Sequence, residues 1–140
     1  MLAVIAGIAM SAQAADFKSI ADNAAIAYDA PSAKAKRLFV VSRDFPVEIM
    51  VSVDNWVKVR DLSGDLYWVE RKALSDRRLV VVTAAVADIR QTAGDAAAVA
   101  FRAQKGVALE LAETGADGWA KVRHRDGQSG FVRFQDVWGL

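Results

Sequence analysis

An internal repeat, whose second copy begins near the middle of the chain, is the feature that most constrains how this chain can fold. The segment WVKVR at Trp56–Arg60 recurs as WAKVR at Trp119–Arg123, at an offset of 63 in residue number. The same offset relates Gly64 to Gly127. Self-similarity at a fixed period indicates a duplicated structural unit, so the sequence predicts two copies of one small fold in tandem.

Upstream of these segments the alignment of the two copies shifts. There an offset of 60 aligns Val47 with Val107 and Val51 with Leu111. The extra residues of the second copy then fall in segment 114–118, which contains two glycines. Loop tips tolerate insertions, so we expect the second copy to have a loop that is three residues longer at this point.

Each copy has the residue pattern of short β-strands joined by tight turns. In Trp119–Arg123 the apolar residues Ala120 and Val122 alternate with charged residues, which is typical of a strand with one buried face. Gly64 and Gly127 follow serine and aspartate, and such pairs favour hairpin turns because glycine readily adopts positive φ. Short strands at this spacing predict an all-β protein made of two small barrels.

The alanine-rich segment 93–103 is open to a second interpretation, because it has enough helix-forming residues for one or two turns of helix. Gly94 and the β-branched Val99 weaken a helix there. The matching segment 31–41 begins with Pro31 and ends in the strand-like sequence LFVV. We therefore expect a loop that leads into a strand in both copies.

The amino-terminal segment 1–14 has the composition of a bacterial signal peptide. It carries no charged side chain, positions 2–10 are apolar, and Ala12 and Ala14 fit a small-x-small cleavage site. The apolar run is shorter than the roughly 20 residues needed to span a bilayer. The alternative is a buried N-terminal strand or helix, and no Lys or Arg precedes the apolar run. We predict export to the periplasm or the cell surface and a mature chain that begins near Ala15.

Charge and composition exclude several classes of function. Eighteen basic and 17 acidic residues give a net charge of +1, too small for charge-driven binding of nucleic acid. The absence of cysteine excludes disulfides, thiolate nucleophiles and zinc-thiolate sites. Common enzyme motifs are absent, and the lone histidine, His124, stands beside a hairpin turn, where an exposed polar residue is usual. We predict no enzymatic activity, no metal and no cofactor.

The final strands of the second copy resemble the bacterial SH3-like domain family. The late signature of that family is Trp-x-Lys-Val, then a glycine, then Gly-Trp-Val and a closing apolar residue. The segment Trp119–Arg123 and the residues Gly127, Gly130 and Val137 stand in the corresponding order. Arg90 closes a segment similar to the family's early Asn-Val-Arg strand.

The resemblance covers both copies and implies small five-stranded barrels that bind cell-wall peptides or protein partners without catalysis. We place a signal peptide at residues 1–14, the first SH3-like repeat at 15–78 and the second at 79–140. The first repeat departs from the family at two positions. Tyr67 replaces a usual glycine, and Tyr28 stands about where the early arginine would be.

Aromatic side chains are the main candidates for ligand binding. If the apolar residues of Trp56–Arg60 and Trp119–Arg123 point inward, each tryptophan shares the outer face with two cations, because successive side chains alternate. Flat rings stack on sugars and extended peptides, and neighbouring cations suit a carboxylate ligand. The predicted ligand-binding residues are Tyr28, Trp56, Lys58, Arg60, Tyr67, Trp68 and Trp119.

The same aromatic residues also have purely structural interpretations. Trp68 and Phe131 precede valines expected in the core, and they would plug the barrels, since large rings dominate small cores. Trp56 and Trp119 would make cation–π contacts with the neighbouring cations and need no ligand.

Two hypotheses of function follow from these patterns. The first is a periplasmic binding or targeting module that holds peptidoglycan or an envelope protein in a shallow aromatic groove. The second is a structural or assembly factor whose barrels offer a sheet edge or surface to another envelope protein. An enzyme is the third hypothesis, since paired carboxylates need no sequence signature. The sequence predicts neither a membrane span nor an oligomeric state.

Overall fold

The computed structural model describes residues 15–21, 23–115 and 117–140. The predicted signal peptide, residues 1–14, lies outside the described residues. The described part of the chain consists of β-strands, turns and two short 3-10 helices, with no α-helix. Within it, no helix has the length and apolar character that crossing a membrane requires.

Fourteen strands divide equally between the two repeats in the described residues. The first seven are β1 (Phe17–Ile20), β2 (Ala25–Tyr28), β3 (Arg37–Val41), β4 (Pro46–Val53), β5 (Trp56–Arg60), β6 (Leu66–Glu70) and β7 (Leu74–Ser75). The second seven are β8 (Leu79–Val82), β9 (Val86–Arg90), β10 (Val99–Gln104), β11 (Ala108–Thr114), β12 (Trp119–Arg123), β13 (Ser129–Arg133) and β14 (Val137–Trp138). A 3-10 helix precedes the last strand of each repeat, at Arg71–Ala73 and Phe134–Asp136.

The two repeats have the same topology. The strand order is β3-β2-β6-β5-β4-β1-β7 in the first sheet and β10-β9-β13-β12-β11-β8-β14 in the second. Neighbouring strands pair antiparallel throughout. This order confirms an all-β fold built from two tandem copies of one unit. Each copy has seven strands, rather than the five that the resemblance implied, and the last strand of each is two residues long.

Strand pairing corrects the alignment of the two repeats. Glu48 lies opposite Arg60 in the first repeat, and Glu110 lies opposite Arg123 in the second. The upstream offset is therefore 62, and the predicted offset of 60 is wrong. The loop between β11 and β12 gains one residue rather than three. Offsets of 60 and 62 give the same inward and outward pattern, because side chains of a strand alternate with a period of two.

Each repeat encloses its own apolar core, as the alternating pattern predicts. The buried core of the first repeat consists of Ile20, Ala25, Ala27, Val41, Val47, Val57, Val59, Tyr67 and Val69. That of the second consists of Val80, Val82, Ala87, Ile89, Ala103, Leu109, Ala120, Val122, Val132 and Val137. Val59 and Val122 occupy equivalent buried positions, which confirms the expectation for the two Trp-x-Lys-Val segments.

The turns also match between the repeats. Gly64 and Gly127 both adopt positive φ, at 87° and 96°, in the hairpins that follow β5 and β12. The segments that precede β3 and β10 form bends and turns, so the helical alternative for the alanine-rich segment is wrong.

The repeats pack against each other through their first strands. Val80 and Val82 of β8 belong to the second core, whereas Leu79 and Val81 face the other way and are also buried. Strand β8 contacts β4 of the first repeat. Phe17 of β1 meets Trp138 edge to face, with ring centroids 5.0 Å apart. The outer faces of these strands are therefore covered by the other repeat.

Candidate functional site

A row of aromatic and cationic side chains crosses the outer face of the first repeat. Tyr28 lies opposite Trp68, and Trp68 lies opposite Lys58. Trp56 lies one row further along β5, opposite Glu70. Trp56, Lys58 and Trp68 are half-buried, and the residues that alternate with them are buried. The outer face predicted for Trp56 is thus confirmed. Tyr28, Trp56, Lys58 and Trp68 are called the aromatic face below.

Tyr28 supports this face rather than lying exposed on it. Its ring meets that of Trp56 edge to face, with centroids 5.1 Å apart and planes at 89°. Tyr28 is only 3% exposed, so its contribution to a stacking surface is smaller than its sequence position predicted. A cleft of about 340 Å³ opens beside it, lined by Ile26, Tyr28, Val40, Glu70, Lys72 and Ala73.

The two predicted cations of this face differ in how they are engaged. The Arg60 Nε and Nη2 atoms donate to Glu48 Oε2 at 2.9 and 2.5 Å. Lys58 makes no ion pair with any residue that the structure describes. The positive charge available to a ligand on the aromatic face is therefore that of Lys58.

Tyr67 belongs to the core of the first repeat, which corrects its expected place at the ligand surface. It is 1% exposed, and its ring meets Phe39 edge to face at 5.0 Å. The physical reason is alternation along β6, because Trp68 faces outward and its neighbours must face inward. The equivalent position of the second repeat is Gly130.

Burial raises the pKa of Tyr67, and the carboxylates of Asp61 and Asp65 raise it further. The folded state therefore favours the neutral phenol. The associated stability is complete below about pH 10, the usual value for tyrosine, and falls as the pH rises above it. We expect the melting temperature to drop more steeply above pH 10 in the unmutated protein than in Tyr67→Phe.

Thermal unfolding between about pH 8 and pH 11 measures this difference. At neutral pH Tyr67→Phe should change the free energy of unfolding by about 1 kcal/mol or less, because the buried hydroxyl has no hydrogen-bond partner in the described structure. A Tyr28→Phe variant retains Tyr67 and should keep the steep alkaline drop. Equal alkaline drops in Tyr67→Phe and the unmutated protein would contradict the prediction.

The second repeat carries a different set of side chains at the equivalent places. Arg90 stands in the position of Tyr28 and lies opposite Phe131. Phe131 takes the place of Trp68, and both are half-buried on the outer face. The structural alternative in which these two rings plug the barrels is therefore wrong. Arg133 takes the place of Glu70, opposite Trp119.

The arginines of the second repeat already occupy its outer face. The Arg133 guanidinium lies 5.5 Å from the centroid of the Trp119 ring and also pairs with Asp95. Arg90 donates through Nη1 to the carbonyl oxygen of Ala97 at 2.7 Å. The cavity beside Trp119 measures only about 70 Å³. Trp119 therefore makes a cation–π contact, but its partner is Arg133 on the neighbouring strand rather than Lys121 or Arg123, the cations that its own strand predicted.

Exposed apolar side chains are concentrated in the first repeat, a feature that the sequence analysis missed. Large exposed apolar residues in the described chain are Leu38, Phe39, Val40, Met50, Val51, Val53, Leu62 and Leu66 in the first repeat, and Val86 in the second. Val51 lies opposite Lys58, and Val53 lies opposite Trp56, so β4 extends the aromatic face. The signal was present in β4, whose apolar residues do not alternate with polar ones and so cannot all reach the core.

His124 has a local structural role in the turn after β12. It is half-buried, and its Nδ1 lies 3.1 Å from Asp126 Oδ1. The Asp126 carboxylate accepts from the backbone N–H of Gln128 and interacts with His124, and both lower its pKa. Among the described residues, no group of three or more potential ligands could hold a metal ion.

Comparison with known proteins finds one matching family model and several similar solved structures. A family model described as the bacterial SH3 domain matches residues 21–76 and again residues 83–139. No curated protein matches the chain. Among solved structures, NlpC1 of Trichomonas vaginalis is 16% identical with a TM-score of 0.42, over 98% of this chain and 50% of that one. NlpC2 of the same organism is 16% identical with a TM-score of 0.42, over 91% and 49%. The chain spans about half the length of both.

Proposed function

The chain belongs to the bacterial SH3 domain family, and we propose that it is a non-catalytic binding module of the cell envelope. In this proposal the aromatic face of the first repeat holds an extended, carboxylate-bearing peptide of the cell wall. The observation that carries it is the difference between the repeats. Arg133 covers Trp119 in the second repeat, whereas Glu70 stands at the equivalent position in the first, and no cation among the described residues lies over the Trp56 ring.

The chemistry of the aromatic face suits such a ligand. Half-buried indole rings offer flat apolar surfaces for extended peptides and sugars, and their buried edges hold them in fixed orientations. Lys58 lies in one row with Trp68 and Val51, between them, and supplies a charge that no described carboxylate neutralises. Exposed Val51 and Val53 lengthen the surface beyond the rings.

The amino terminus and the family support an envelope location. The predicted signal peptide at residues 1–14 supports export, so we propose a periplasmic or secreted protein. Peptidoglycan is the partner whose stem peptides carry free carboxylates in that location. The net charge of +1 supports a partner other than nucleic acid.

Truncation of Trp56 tests the proposed face. Trp56→Ala should weaken binding to purified peptidoglycan sacculi at least fivefold, since removing a contact aromatic at a hot spot costs about 1 to 3 kcal/mol. Glu70→Arg copies the second repeat and should weaken binding by placing a guanidinium over the Trp56 ring. Co-sedimentation with sacculi measures both, with a melting curve for each variant.

Trp119→Ala is the matched control, because it removes the equivalent ring that the protein already covers. It should leave sacculus binding within about threefold of the unmutated protein. Equal losses in Trp56→Ala and Trp119→Ala would assign no special role to the first repeat. Absence of sacculus binding by the unmutated protein would overturn the cell-wall proposal.

A second candidate function has its own supporting observation at β3. Among the strands that the structure describes, β3 pairs with β2 alone and forms the edge of the first sheet. Leu38, Phe39 and Val40 on it are 42%, 43% and 68% exposed. Exposed apolar edge strands accept a further strand from a partner chain. Failure to bind sacculi, together with capture of an envelope protein that requires these residues, would favour an assembly factor.

A further inference from the structure

A single arginine in the connection between the repeats contacts carboxylates from both. Arg77 Nη1 lies 3.1 Å from Asp44 Oδ1 in the first repeat, and Nη2 lies 3.9 Å from Glu110 Oε2 in the second. The Arg77 carbonyl oxygen accepts from Ser19 Oγ at 2.8 Å. Asp44 adopts a positive φ of 64°, at the position where the second repeat has Gly106. Arg77 therefore forms an ion pair with one carboxylate of each repeat, Asp44 and Glu110.

The contact with Arg77 takes the place of an ion pair that the first repeat forms between its strands. In the first repeat Glu48 binds the arginine opposite it, Arg60, at 2.5 Å. The corresponding residues of the second repeat, Glu110 and Arg123, also lie opposite each other. Yet Arg123 makes no ion pair with the described residues, and Glu110 is paired with Arg77. The second repeat thus has an exposed arginine whose counterpart in the first repeat is neutralised.

This arginine lines a cleft of about 360 Å³ at the junction of the repeats. The charged groups along the cleft are Arg43, Asp44, Arg77, Glu110, Arg123 and Arg125. Like Arg123, Arg125 forms no ion pair within the part of the chain that the structure describes. Leu79 and Val107 supply apolar walls. The cleft therefore combines a net positive charge with a size typical of small-molecule sites.

Arginine guanidinium groups favour oxyanions, because their planar donors match two oxygens of a carboxylate or phosphate at once. We propose that the cleft between the repeats binds an oxyanion group, a carboxylate or a phosphate, through Arg123 and Arg125. This site is separate from the aromatic face, and the proposal does not depend on the function assigned to that face. A ligand that fills it contacts both repeats and so holds them in their packed arrangement.

Amide NMR titration of the protein from residue 15 onward tests the site. Sodium phosphate and sodium glutarate are added separately at constant ionic strength, with chloride as the balancing anion. We expect saturable shifts of the Gly106, Val107 and His124 amides, which lie along the cleft. The double variant Arg123→Gln with Arg125→Leu should bind at least tenfold more weakly.

Matched positions of the first repeat supply the controls. Leu62 occupies the place of Arg125 in the first repeat, so Arg125→Leu introduces a residue that the equivalent turn accepts. Arg125→Leu alone should lower affinity at least threefold even if the double variant does not fold. Arg60→Gln changes the counterpart of Arg123 and should leave the affinity unchanged.

Saturable shifts with phosphate or with glutarate support the proposal. The anion with the lower dissociation constant identifies the group, phosphate or carboxylate, that the cleft favours. Shifts that rise linearly without saturation would overturn it, because they report only weak screening of exposed charges. An affinity that falls equally in Arg60→Gln and Arg125→Leu would also overturn it.

Discussion

Replacing Tyr67 by alanine is expected to lower the free energy of unfolding by about 3 to 5 kcal/mol, the range for truncating a buried aromatic ring. The ring is 1% exposed and packs in the core of the first repeat with Phe39 against it. Removing it leaves a cavity that rigid neighbouring strands cannot close. Urea unfolding followed by tryptophan fluorescence measures the loss.

The control for this prediction replaces two core residues of the first repeat by their counterparts in the second. Tyr67 shares its core with the small residue Ala27, whereas the second repeat pairs Gly130 with the larger Ile89. Ala27→Ile together with Tyr67→Gly should therefore lose about 0.5 to 3 kcal/mol less than the sum of the two single changes. Additive losses would mean that the two positions do not share one space. Unchanged stability in Tyr67→Ala would contradict the core role of the ring and would support the ligand-binding role that the sequence predicted.

The sequence contained the information needed to place the rings, because alternation depends only on neighbours along a strand. It placed Trp56 and Lys58 outside and Val59 inside, and the structure agrees. The same rule applied to β6 puts Tyr67 inside, since Val69 is a core residue two positions away. The resemblance to a family with glycine at this position concealed this, because it presented Tyr67 as an added ring for ligand binding rather than as part of an alternating strand.

Long-range arrangements could not be predicted from local patterns. The upstream offset of 62 is set by which strands pair, and a period of two cannot distinguish it from 60. The packing of Phe17 on Trp138 joins opposite ends of the chain. Likewise, the pairing of Arg77 with Asp44 and Glu110 depends on how the barrels meet. The junction cleft was therefore absent from the predicted sites.

Gly130→Ala is expected to destabilise the second repeat by about 2 to 3 kcal/mol, the upper part of the range for overpacking a close-packed core. A Cβ atom at this position would lie 2.6 Å from the backbone oxygen of Arg90 and 2.6 Å from Ile89 Cγ2. The backbone oxygen belongs to the neighbouring strand β9 and cannot rotate away. The glycine therefore allows β13 and β9 to approach closely, a role that does not depend on positive φ.

Gly94→Ala is the matched control, because a Cβ atom there meets no heavy atom within 4 Å. It should leave stability unchanged or raise it by about 0.4 to 1 kcal/mol, since alanine restricts the unfolded chain. Adding Ile89→Ala to Gly130→Ala removes the contact with Cγ2 but leaves the backbone oxygen of Arg90 in place. We therefore expect the double variant to recover no stability, because the Ile89 truncation itself costs about 2 to 5 kcal/mol. Urea unfolding of the unmutated protein, the two single variants and the double variant measures these differences in stability. Equal unfolding midpoints for Gly130→Ala and Gly94→Ala would contradict the prediction, because they would show that β13 can move away from β9 at little cost in free energy.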